Sequence, residues 1–190
     1  MADSLTLYTI GHSNLAKEEF LAHLQQHEIR VLVDIRSHPA SRFMPHFNKK
    51  ALDAYLKENG IHYHFAGDSL GGRPKDETVY KSQPPTEARL QRSDYARIVD
   101  YEAVMQTGWY QAGIKELLQI VADTAGGYVA VMCSEGQPHD CHRHHLVTRS
   151  LLDPAVKITD TIITVKHIDR DGCVIDATPE DFAPPQPRLL

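Results

Sequence analysis

A chain of 190 residues with 42 % hydrophobic and 24 % charged content has the size and balance of one globular domain with a substantial core. The formal net charge of -5 excludes a global positive field of the kind that recruits nucleic acid, though a local basic patch is compatible with it. No apolar run approaches the ~18 residues of a membrane span, the N-terminal "MADSLTLYTIGHS" has no charged n-region, and three cysteines, an odd number, read as reduced thiols of a cytoplasmic protein.

Taken in chain order, "LTLYTIG" (5–11) is rich in strand formers and stops at glycine. Residues 16–28 place Phe20, Leu21 and Leu24 at helical spacing, with Asn14 as the expected N-cap. "RVLVDIR" (30–36) is a short apolar run of a strand buried on both faces. A loop with two prolines (37–48) leads to a helix over 49–60 closed by Asn59-Gly60. "IHYHFAG" (61–67) alternates as a strand, with His62 and His64 on one face. Residues 68–92 then read as a long polar loop, a length that usually carries function or disorder.

Helices are expected over 93–106 and 109–124, the second with Ile114, Leu117, Leu118 and Val121 on one stripe. Strand "YVAVMC" (128–133), a helix over 146–152 and strand "TIITVKHI" (161–168) complete the series. Strands alternating with helices imply a single α/β domain, residues 1–170, with a largely parallel sheet flanked by helices. Residues 171–190, proline-rich toward their end, read as a loosely ordered tail.

In such sheets ligands bind in a cleft beyond the carboxyl ends of the strands. The topology therefore draws three distant segments together: His12 and Ser13, then Asp34, Arg36 and Ser37, then Cys133, Ser134 and Glu135. The last segment opens "MCSEGQPHDCHRHH" (132–145), with two cysteines and four histidines in fourteen positions, in a chain whose twelve histidines outnumber its eight tyrosines. Asp140 is expected to cap a helix whose first turn holds Cys141, His142 and Arg143, where the helix N-terminus and the arginine favour a thiolate. The plainer alternative is a small buried cysteine.

The same cluster offers ligands for Zn²⁺ or iron in Cys133, His139, Cys141, His142, His144 and His145. It has no C-x-x-C pair, and Cys141 with either His144 or His145 on one helix face gives two ligands at most, which His12 or a carboxylate would have to complete, so no metal ligand is assigned. A phosphatase-like loop fits poorly, because Arg143 lies ten residues after Cys133. The arginines carry more weight. Arg36, Arg42, Arg73 and Arg143 border the strand ends, where guanidinium groups beside serine hydroxyls and Gly71-Gly72 suit a phosphate or carboxylate.

The motifs "YTIGHSN", "LVDIRSHPASRFMPHFN", "LGGRP" and "MCSEGQPHDCHRHHL", in that order, resemble the uncharacterised family DUF488. The resemblance runs from Tyr8 through "VKHI" (165–168). It implies an α/β domain with a cleft and supplies no activity.

The expectation is an enzyme for a phosphate-bearing or other anionic substrate, such as a nucleotide or nucleic-acid end. Its anion site would use Ser13, Arg36, Ser37, Arg42, Arg73, His142 and Arg143. Its catalytic groups would be His12, Asp34, Glu135 and Cys141, with no cofactor identified. The alternatives are a non-catalytic module for a nucleotide or nucleic acid and a metal-binding protein. The partner is a small anionic or nucleotide-like ligand; nucleic acid is disfavoured by net charge, and no membrane is involved.

Overall fold

The computed structural model describes residues 4–81 and 98–183. Its strands are β1 (Leu5–Gly11), β2 (Ile29–Asp34), β3 (His62–Phe65), β4 (Tyr128–Cys133), β5 (Ile163–Ile168) and β6 (Val174–Ala177). They form one open sheet in the order β3-β2-β4-β1-β5-β6. Every pairing is parallel except β5 with β6. β4 lies between β1 and β2, with Gly11 opposite Cys133 and Asp34 opposite Met132. The strand order is what brings three carboxyl ends side by side.

Successive side chains of a strand point to opposite faces, and the two cores follow that alternation. Val33, Val129, Val131 and Val165 face one layer with Tyr110, Ile114, Leu117 and Leu146. Leu32, Ala130, Met132 and Ile168 face the other, with Phe20, Leu24, Leu52 and Leu56. The second layer is built by α1 (Lys17–Gln26) and α2 (Lys49–Glu58). The first contains α3 (Gly67–Leu70), α4 (Tyr101–Gln106), α5 (Gly108–Asp123) and, after a π-helix at Arg143–Thr148, α6 (Arg149–Leu152). Asp100 caps α4 and Thr107 caps α5 through their side chains.

Several expectations change. Asn14 does not cap α1; Ala16 holds that position without a side-chain bond, because Leu15 is drawn into the core. The loop over 68–92 contains α3 and a 3₁₀ turn at Glu77–Val79, and residues 82–92 lie outside the described ones, as do 93–97 of the expected helix. The tail is also different over residues 171–183: β6 pairs with β5 and a 3₁₀ turn follows at Pro179–Phe182. Residues 184–190 lie outside the described ones. Among the described residues no helix is long and apolar enough to cross a membrane.

Candidate functional site

The segments after β1 and β4 are joined by backbone bonds, His12 N–H to Cys133 O at 3.0 Å and Ser13 N–H to Ser134 O at 2.8 Å. Beyond β2, Ile35 N–H donates to Met132 O at 3.1 Å. A cavity of about 140 Å³ opens at this edge. Its walls include Arg36, Ser37, Arg73, Cys133, Glu135, Cys141 and His142, with His38, Tyr101 and Asp140 also at its surface.

Arg36 is fixed from behind. Its Nε donates to Asp34 Oδ1 at 2.9 Å and its NH2 group donates to Asp34 Oδ2 at 2.6 Å and to Phe47 O at 2.8 Å. NH1 donates to His12 Nε2 at 3.1 Å. Four of the five guanidinium N–H groups are thus engaged. Asp34 also accepts from the Arg36 backbone N–H at 3.0 Å and from Tyr63 Oη at 2.6 Å. It is completely buried. Burial, followed by the Asp34 carboxylate, raises the Tyr63 pKa far above its ordinary value and keeps that hydroxyl a donor.

His12 donates from Nδ1 to Ser13 O at 3.0 Å, so its Nε2 lone pair faces Arg36. Its ring stacks on Phe47 with centroids 4.2 Å apart. His12 and Asp34, expected as catalytic groups, therefore stand behind Arg36 and do not line the cavity. Ser13 and the exposed Arg42 do not line it either.

The segment from Pro138 follows a different course from the one expected. Pro138–Asp140 is a 3₁₀ turn and Cys141 is extended, with φ −131° and ψ 145°. His142 precedes the π-helix, which has no side-chain cap. Asp140 is not an N-cap, and Cys141 is not in a first helical turn. Arg143 is fully buried and turned away from the cavity; its NH1 donates to Glu135 O and its NH2 donates to Gly136 O at 2.7 Å. A Cβ on Gly11 would lie 1.7 Å from Glu135 O and 2.8 Å from Arg143 NH1, so only glycine admits this clamp. Arg143 shapes the 135–136 loop from the inside and is no anion ligand of the cavity.

With Arg143 turned inward, Cys133, Cys141 and His142 meet. Cys133 Sγ lies 3.5 Å and Cys141 Sγ 3.8 Å from His142 Nδ1. The three ligand atoms fall within 4.8 Å of one another. Cys133 Sγ donates to Glu135 Oε2 at 3.1 Å. The opposite nitrogen of His142, Nε2, bonds the carbonyl of Ile35 at 3.1 Å, so it carries the N–H and Nδ1 faces the sulfurs. Gly72 packs on the other side, where a Cβ would lie 2.7 Å from His142 Cγ.

The two thiols are driven apart. Burial, then the neighbouring Cys141 and Glu135, pushes the Cys133 pKa well above the usual thiol value. Burial would also raise Cys141, but the Cys133 hydrogen bond, the His142 ring and the Arg143 charge outweigh it and hold Cys141 well below that value. Burial opposes the charge on His142, and the Cys141 and Glu135 charges overcome it, so its pKa is raised. Of the two thiols at the wall of the cavity, Cys141 is the one whose surroundings favour the thiolate.

Cys133, His38 and Tyr101 are lining groups that the sequence-based site set omits. Cys133 ends an apolar strand, which marked it. Nothing in the local sequence marks Tyr101, which arrives from α4.

Residues 16–150 match the model of the family described as domain of unknown function DUF488. The chain belongs to the DUF488 family. The match spans more than half the chain and includes the motifs around Arg36, Arg73 and Cys141, while "YTIGHSN" begins before it at Tyr8. No curated protein and no solved structure matches the chain.

Proposed function

We propose that the protein is an enzyme acting on a small phosphate-bearing or otherwise anionic substrate. One observation carries the reading: a cavity with Arg36 and Arg73 on its wall also contains Cys133, Cys141, His142 and Glu135. Arg36, clamped by Asp34, offers its remaining N–H in a fixed direction, a preorganised donor that costs little to bind. Arg73 is half-buried, and its backbone N–H donates to Ser37 Oγ at 3.0 Å, which ties the two loops that receive the anion. Asp34 offsets part of the Arg36 charge, and Arg73 brings a second guanidinium to the same wall.

Glu135 is the group placed to accept a proton at the reacting end, and Cys141 supplies an anionic sulfur there. A cavity of about 140 Å³ admits a phosphate or carboxylate headgroup rather than a whole nucleotide, since sites that enclose drug-sized ligands span roughly 300–1,000 Å³. The rest of the substrate stays outside. Closely spaced free thiols suit a reducing compartment, and we place the protein in the cytoplasm on that ground.

Calorimetric titration of the full chain with inorganic phosphate and pyrophosphate tests the anion site. Arg73→Ala should weaken binding by about 1.5–3 kcal/mol, the scale of a charge-assisted hydrogen bond. Wild-type protein that binds neither anion, or an Arg73→Ala variant that binds as wild type, overturns the reading. Glu135→Gln should keep anion affinity and lose turnover of phosphorylated substrates; anion binding without turnover in the wild type would leave a binding module.

A further inference from the structure

We propose that Cys133, Cys141 and His142 hold a Zn²⁺ ion whose fourth coordination position opens to the cavity. The inference rests on the anion-site reading for its function, and on geometry alone for its existence.

Zinc binds cysteine sulfur at about 2.3 Å and histidine nitrogen at about 2.0–2.1 Å, tetrahedrally, so sulfur and nitrogen ligands of one ion stand roughly 3.5–3.6 Å apart. The Cys133 Sγ and Cys141 Sγ distances to His142 Nδ1 are 3.5 and 3.8 Å. All three ligand atoms lie within 4.8 Å of one another. The two sulfur-to-nitrogen distances already match that spacing, and the sulfurs, within 4.8 Å of each other, need at most a small inward rotation to close on one ion.

The surroundings match what a zinc ligand requires. A metal-bound histidine donates its other ring N–H to a carbonyl or carboxylate, which fixes the tautomer. His142 Nε2 has that partner in Ile35 O at 3.1 Å, so Nδ1 is the nitrogen left to bind. The Arg143 backbone N–H donates to Cys141 Sγ at 3.4 Å and supports a thiolate. Two thiolates, a neutral imidazole and Zn²⁺ sum to zero charge, which suits a site whose three side chains are 9 % exposed or less.

Three protein ligands with a fourth position facing a cavity is the pattern of a catalytic rather than a structural zinc. Glu135 Oε2 stands 3.1 Å from Cys133 Sγ, and Glu135 lines the same cavity. The ion would supply a Lewis acid at the cavity wall, where Glu135 could take up a proton and Arg36 and Arg73 could hold an anion. The other histidine cluster does not compete for the ion. His144 Nδ1 and His167 Nε2 are bonded to each other at 3.2 Å, and the Cys133 group is the single candidate metal cluster among the described residues.

The test uses full-length, untagged protein purified without chelator, with Zn²⁺ and Co²⁺ as probes and no substrate present. One zinc per chain is expected. Co²⁺ should give the absorption of a tetrahedral site with sulfur-to-metal charge transfer. Cys133→Ser and Cys141→Ser should each weaken Zn²⁺ binding by about a hundredfold or more, beyond the 10–100-fold typical of outer-sphere changes, while Cys173→Ser binds as wild type. Because either variant could misfold, alkylation of the wild type gives a second readout: Zn²⁺ should protect Cys133 and Cys141 and leave the exposed Cys173 reactive. Sub-stoichiometric zinc, a Co²⁺ spectrum without thiolate bands, or equal alkylation with and without zinc overturns the proposal. Phosphate binding in zinc-free protein separates the two ideas: if it persists, only the metal site has failed. If zinc binds and phosphate does not, only the anion site has failed.

Discussion

Tyr63 Oη lies 2.6 Å from Asp34 Oδ2, on the side of the carboxylate away from the Arg36 Nε bond. Asp34 is thereby saturated with donors from Tyr63 and Arg36 and serves as the anchor of the arginine. Asp34→Ala should cost about 3–5 kcal/mol, the usual result of leaving a buried charge without its partner. Tyr63→Phe should cost only about 1.5–3 kcal/mol, one hydrogen bond to a charged group. Urea unfolding followed by circular dichroism checks both, and a near-zero loss in Asp34→Ala would refute the anchoring role.

Arg143 faces the carbonyls of Glu135 and Gly136 instead of the cavity. Its truncation to alanine should therefore destabilise the fold by about 2–5 kcal/mol, since two part-buried carbonyls lose a charged donor. Phosphate affinity of the remaining folded protein should be largely unchanged. Gly11→Ala should be as damaging, because its Cβ would collide with Glu135 O. Denaturation midpoints measured beside calorimetric phosphate affinity separate these effects from a lost anion ligand.

His167 is buried, its Nδ1 2.7 Å from Thr9 Oγ1 and its Nε2 3.2 Å from His144 Nδ1. Burial first, then the charges of His144, Arg143 and His139 against the opposing Asp181, lowers its pKa to about 3. The folded state keeps this ring neutral while the unfolded chain protonates it below its ordinary value of about 6.5. Stability from His167 is thus present above that value and is lost as pH falls through it toward 3, at about 1.4 kcal/mol per pH unit. Urea midpoints between pH 7.5 and 5 should fall, and His167→Gln should flatten that slope. An unchanged slope would show that His167 is not the group responsible.

Gly72 is in contact with the His142 ring. Gly72→Ala should cost about 1–3 kcal/mol by overpacking and should displace the imidazole. Phosphate affinity and Zn²⁺ affinity should fall together in this variant, whereas a Gly72→Ala protein with wild-type affinities would mean that the ring has room to yield.

The sheet was legible in the sequence because its strands are short apolar runs separated by amphipathic helices, and that pattern fixes a parallel architecture. It also brought Arg36, Glu135 and Cys141 to one edge. The direction of each side chain was not legible. Arg36 and Arg143 have the same chemistry, yet one lines the cavity and the other turns to the carbonyls of the 135–136 loop, a pose for which Gly11 leaves the room. Likewise the pairing of Cys133 with the adjacent Cys141 and His142 has none of the spacing of a familiar metal motif. It arises because an extended Cys141 and a π-helix replace a capped α-helix.

β1 is made by the first residues of the chain, but its two neighbours are β4 and β5. Leu7 pairs with Val129 on one side and with Val165 on the other. On the ribosome the first strand must therefore wait for most of the polypeptide before its edges are covered. Contacts of such sequence separation slow folding and lengthen exposure of unpaired edges. A fragment trimmed to residues 16–150 would lack β1 and β5, leave β4 with an open flank, and be an aggregation hazard rather than a minimal domain.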